Sequence, residues 1–212
     1  MHKQRRHLRL PAALCALIFF AFELVQPQPQ QPPSVDVTLV GAYGDLARKY
    51  LWKGFFELYL THSASSSGGA AFKFYGAGRA STSTGNELLA DVLKSVKFCE
   101  SDNRECVALE RSFLSEITYV QLKSTLHYEH HCSQNLRLCS EEASCPTGQR
   151  IFYLSVPPFA YKAIAADVSL HCRSAGVELK LVVEKPFGHD YDSAAELASA
   201  LSTHFEEHEL YR

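Results

Sequence analysis

The feature that most constrains this chain is the run Val35 to Val40 (VDVTLV), which stops on Gly41 and passes almost at once into a stretch of helical period, Asp45 to Leu60. An apolar strand that feeds directly into a helix is half of a βαβ unit, because the helix carries the chain back to start a parallel strand. The pattern recurs. After the Ser/Gly loop Ser63 to Ala70 come a strand at Phe72 to Tyr75 and a helix at Glu87 to Val96. Lys97 to Gln149 is less regular, with a strand expected at Ile117 to Leu122 between helical pieces. Regular alternation returns with a strand at Ile151 to Val156, stopped by Pro157-Pro158, and a helix from Tyr161 to His171. A strand at Leu179 to Glu184 and a helix at Ser193 to Glu207 close the series. Alternating strands and helices predict an α/β fold, a parallel sheet with helices on both faces. Ligands of such sheets bind at the carboxyl ends of the strands, a rim that would carry Gly41, Gly76, Pro157 and Lys185.

The first residues stand apart from this pattern. Lys3, Arg5, Arg6 and Arg9 precede an apolar run from Leu10 to Phe22, closed by Glu23. A basic start, a short apolar core and a polar exit describe a secretory signal peptide at 1–25, followed by a Pro/Gln-rich linker at 26–34. The run falls short of the about 20 residues of a membrane span, although an uncleaved anchor is the alternative. No membrane association beyond the signal is expected. The formal net charge of −2 argues against nucleic acid as a partner, since such proteins carry a basic face. Of 7 cysteines, Cys15 lies in the signal. The remainder, Cys99, Cys106, Cys132, Cys139, Cys145 and Cys172, suit disulfides in an oxidising compartment, with the pairing left open. His127, His130, His131 and Cys132 match no trusted zinc spacing, so a solvated histidine-rich loop is expected there and no metal.

Three segments on the rim carry chemistry. Gly41-Ala42-Tyr43-Gly44-Asp45-Leu46-Ala47-Arg48 follows a strand and opens a helix, where backbone N–H groups can hold a phosphate. Small Ala47 allows helix and strand to approach closely, although Tyr43 stands where the usual fingerprint has its middle glycine. At the end of the second strand, NAD-binding folds place an acid on the ribose hydroxyls. This chain has Gly76-Ala77-Gly78-Arg79 instead, and a guanidinium suits a 2′-phosphate. NADP is therefore the expected coenzyme, with NAD as the alternative. Lys185, in Glu184-Lys185-Pro186-Phe187-Gly188, is a flexible point charge at a strand end, and the Lys-Pro bond can take the cis isomer.

Taken together and in this order, the GxxGDLA turn, the Gly-x-x-Arg segment, Phe152 to Tyr161 (FYLSVPPFAY) and Glu184 to Gly188 resemble the glucose-6-phosphate dehydrogenase family. Lys49 to Trp52, Val156 to Tyr161, His189-Asp190 and the signal peptide resemble its lumenal branch. The resemblance runs over 35–212 and implies a Rossmann-like NADP-binding domain. It also implies that Gly41 to Arg48 wrap the pyrophosphate, that Arg79 meets the 2′-phosphate and that Tyr161 lies along the coenzyme. Lys185 would touch both coenzyme and sugar phosphate. The implied reaction is hydride transfer from glucose 6-phosphate, or another hexose 6-phosphate, to NADP in the endoplasmic reticulum lumen. Tyr43 departs from the small hydroxyl residue of the family, which puts affinity in question unless its ring points to solvent. The family's phosphate-binding segment, its catalytic histidine and its α+β substrate domain are expected to be missing from 1–212. The expectation is therefore a coenzyme-binding portion without turnover of its own, with no catalytic residue assigned and a homodimer only at full length.

Overall fold

The computed structural model describes residues 33–63, 69–100, 103–136, 148–188 and 190–212. The signal peptide, nearly all of the linker, Cys139, Cys145 and His189 lie outside the described residues. Strand β1 (Ser34–Val40) is buried along most of its length. β2 (Ala71–Gly78) and β3 (Ile117–Gln121) lie to one side of it, and β4 (Gly148–Leu154), β5 (Val177–Val183) and β6 (Leu210–Tyr211) to the other. The order is β3-β2-β1-β4-β5-β6, and every pairing is parallel. This is the doubly wound arrangement, whose strand order reverses beside β1 and opens a crevice between the ends of β1 and β4.

Alternation along β1 divides the core. Val37 and Leu39 point to one face, where they meet Phe72 and Phe74 of β2 and helices α1 (Trp52–His62), α2 (Thr82–Ser95) and α3 (Arg104–Ser115). Asp36, Thr38 and Val40 point to the other face. That side is covered by α4 (Thr125–His130), α5 (Tyr161–His171) and α6 (Tyr191–Ser202). A π-helical turn, Ala47–Leu51, leads into α1, and a second, His131–Asn135, continues α4. No described helix is long and apolar enough to cross a membrane.

The structure departs from the sequence pattern in four places. β2 continues to Gly78, because its last residues are small and buried rather than β-branched. α2 begins at Thr82 rather than near Glu87, since Ser81 caps it by accepting from the Thr84 N–H at 3.4 Å. Its first turn has no apolar residue to betray the helix. β6 has only two residues and gives no periodic signal. The expected solvated histidine loop is instead helical and partly buried: His131 is 1% exposed and Cys132 is bonded to Cys172. The reason lies 93 residues away, where buried Thr38 needs a polar partner and finds His131 Nε2 at 3.0 Å. A second disulfide joins Cys99 and Cys106. No cluster able to hold a metal occurs among the described residues.

Candidate functional site

The chain leaves β1 through Gly41, whose φ of +92° belongs to the left-handed region. A Cβ there would lie 2.2 Å from the Ser155 carbonyl oxygen, so only glycine lets the turn pass the end of β4. The Gly41 and Ala42 N–H groups both donate to the Ala77 carbonyl, at 2.9 and 3.1 Å, fastening the turn to β2. Gly44 N–H closes the turn onto Gly41 at 3.0 Å, and Trp52 Nε1 donates to the Ala42 carbonyl at 2.9 Å from below. Ala42 and Ala47 are fully buried, so the helix start sits against the strand ends. Asp45 and Leu46 occupy the first helical positions, where N–H groups lack intrahelical acceptors and can meet an anion.

Tyr43 does not project into solvent. Its ring covers Gly78, where an added Cβ would stand 2.5 Å from Tyr43 Cε1, and it lies 6.4 Å from the Tyr119 ring. Tyr119 in turn donates to the Ala80 carbonyl at 3.0 Å, and burial, with Tyr43 nearby, pushes its hydroxyl up to about 12. The bulky substitution in the turn is thus accommodated by the bare glycine before Arg79.

Gly41, Tyr43 and Arg79 line one cavity of about 420 Å³, closed by Leu122, Lys123 and Tyr128 on one side and by Val156, Pro157, Phe159 and Ile164 on the other. Other expected residues sit elsewhere. The Arg48 guanidinium donates to Ser95 on α2 at 3.3 Å and does not line the cavity. Tyr161 is 1% exposed, and its hydroxyl donates to the Glu184 carbonyl at 3.2 Å. It braces the strand end rather than facing the cleft. Lys185 is exposed at the end of β5, two strand spacings or roughly 10 Å from β1. The Lys185-Pro186 bond is cis.

The sequence reading overlooked several contributors. Tyr153 donates to the Glu184 carboxylate, so two tyrosines hold the residue that precedes Lys185. Burial, followed by that carboxylate, drives the Tyr153 hydroxyl well above the ordinary phenol range. Phe159 stands 86% exposed at the cavity mouth. Gln121, the last residue of β3, and Lys123, two residues beyond it, belong with them, since a parallel strand's carboxyl end is where such residues act.

The model of the glucose-6-phosphate dehydrogenase NAD-binding domain matches residues 38–212. The chain belongs to the glucose-6-phosphate dehydrogenase family. It is 41% identical over 181 residues to the human GDH/6PGL endoplasmic bifunctional protein, covering 84% of this chain and 22% of that protein. The rabbit protein of the same name is 40% identical, covering 88% of this chain and 23% of its own length. A solved structure of glucose-6-phosphate dehydrogenase in complex with glucose 6-phosphate superposes with a TM-score of 0.66 at 25% identity, over 87% of this chain and 37% of that one. The chain therefore spans under a quarter of the two bifunctional relatives, and what it shares with the family is the coenzyme-binding domain.

Proposed function

We propose that this chain is the coenzyme-binding portion of an NADP-dependent hexose-6-phosphate dehydrogenase, working in the lumen of the endoplasmic reticulum. The observation that carries the reading is the Gly41 turn, passing the β4 end where no side chain fits, with Arg79 on the same cavity. Bound there, the coenzyme supplies the hydride acceptor for the sugar's anomeric carbon. The residues present fit it. N–H groups at the helix start, at Asp45 and Leu46, face the pyrophosphate, and Arg79 takes the 2′-phosphate. Apolar Leu122, Val156 and Ile164 keep water from the adenine.

Lys185 is assigned to both the coenzyme and the sugar phosphate, with Tyr161 and Tyr153 holding Glu184 so that the lysine leaves the strand in one direction. Tyr161 thus serves the coenzyme through the strand end. A second reading takes the isolated chain as a binding module without turnover of its own, in keeping with a family match to the NAD-binding domain. Two disulfides and the endoplasmic bifunctional relatives support the lumenal assignment.

The test is coenzyme titration of the chain and its Arg79→Ala variant. Removing a charge-assisted bond should weaken NADP by about ten- to a hundredfold and leave NAD nearly unchanged. Equal weakening of both would remove Arg79 from the 2′-phosphate. The same preparation should not reduce NADP with glucose 6-phosphate, and turnover would show that the base lies within these residues.

A further inference from the structure

The cavity carries a second cation that the family pattern does not announce. β3 runs parallel to β2 with Gly78 opposite Gln121, so Arg79 and Lys123 leave from neighbouring strand ends. Two bonds fasten those ends together. Leu122 N–H donates to the Gly78 carbonyl at 2.8 Å, and Gln121 Nε2 donates to the Arg79 carbonyl at 3.1 Å. Both Arg79 and Lys123 line the cavity that holds Gly41 and Tyr43.

Neither cation is within 4.0 Å of a carboxylate among the described residues, a state they share with Lys49, Lys97 and Arg111, so what sets them apart is that both line one cavity. The cavity's one carboxylate among those residues is Asp167. It stands on α5, where its charge bears on Tyr128. Two like charges tethered side by side without an acid between them call for an external anion. A phosphate monoester fits the requirement, since it carries close to two negative charges at neutral pH and one guanidinium can balance only part of that.

We propose that Lys123 is a specificity-determining residue for the coenzyme, closing on the 2′-phosphate from β3 while Arg79 meets it from β2. Gln121 positions the pair by holding the Arg79 backbone. This assignment rests on the reading of the cavity as the adenosine end of the coenzyme site. It differs from that reading in making phosphate recognition a property of two strand ends.

The experiment is titration of the 212-residue chain and its Lys123→Ala and Lys123→Arg variants with NADP, NAD, 2′,5′-ADP and 5′-AMP, with circular dichroism to check folding. Lys123→Ala should lose about five- to tenfold in affinity for NADP and 2′,5′-ADP, less than the Arg79 variant because an ammonium makes a single, more solvated contact. NAD and 5′-AMP should change by less than about twofold, and Lys123→Arg should restore the phosphate-dependent part. Normal NADP binding by Lys123→Ala, or equal losses for NADP and NAD, would overturn the role of Lys123 and leave the coenzyme site standing. A wild-type chain that binds none of the four compounds would overturn the site itself.

Discussion

The two faces of the sheet solve the same packing problem with different chemistry. On the face covered by α1, α2 and α3, Phe72, Phe74, Phe56, Phe98 and Phe113 form a continuous cluster of rings, with centroids 5.0 to 5.7 Å apart among those in contact. On the opposite face the middle of β1 is polar. Asp36 lies in register with Arg150, Thr38 bonds His131, and the Arg150 guanidinium donates to the Cys172 carbonyl at 2.7 Å. The Cys132–Cys172 disulfide ties α5 to the helical segment that carries His131. One face is therefore held mainly by removing carbon from water. The other also buries a large apolar cluster but depends besides on its buried polar groups keeping their partners, so it can fail chemically, through protons or reduction.

The largest expected effect falls on the aromatic face. Phe74→Ala deletes a fully buried ring that meets Phe55, Tyr59, Phe72 and Phe113. It should cost about 3–5 kcal/mol in urea unfolding. A loss below about 1 kcal/mol would mean that the cluster collapses without penalty, contrary to close packing.

The polar face should lose a comparable amount when its covalent tie is cut. Cys132→Ala with Cys172→Ala opens a loop whose ends are 40 residues apart, for a chain-entropy cost of about 4 kcal/mol. The corresponding double change at Cys99 and Cys106, only 7 residues apart, should cost about 2.5 kcal/mol. A reversed order would show that strain or local packing, and not loop length, sets the contribution of each disulfide.

The smallest effect sharpens the contrast by pH. Burial first, then Arg150 and His130, lower His131 to about 3 from an ordinary value of 6.5. Between those limits the unfolded chain binds the proton and the folded one does not, so stability is complete above pH 6.5 and falls as the pH drops towards 3. The slope should approach about 1.4 kcal/mol per pH unit from this group. Unfolding free energies of the chain and of His131→Gln from denaturant titrations should diverge by that slope as the pH falls from 6.5 to 5. Parallel curves would show that the folded core accepts the proton.

Much of the architecture was legible without coordinates. VDVTLV ending at Gly41, FYLSVPP and LVVEKP each combine an apolar strand with turn chemistry, and these are local properties of the backbone. The tight turn at Gly41 and the place of Arg79 at a strand end were legible for the same reason, since each follows from its own neighbours. The side-chain directions of Arg48 and Tyr161 were not legible: one meets Ser95 and the other lies beneath Glu184. No periodicity could foresee that, because the direction of a side chain depends on what packs beside it.

By itself, the sequence determined the alternation of strands and helices, the glycine turn and the absence of an acid after β2, because period and turn conformation are set over a few residues. Tertiary structure alone decided that Tyr43 could lie on Gly78, that His131 belongs under Thr38 and that Lys123 stands beside Arg79. Each of these joins residues separated by 35 positions or more along the chain, and a pairing at that distance exists only once the sheet order brings the strand ends together.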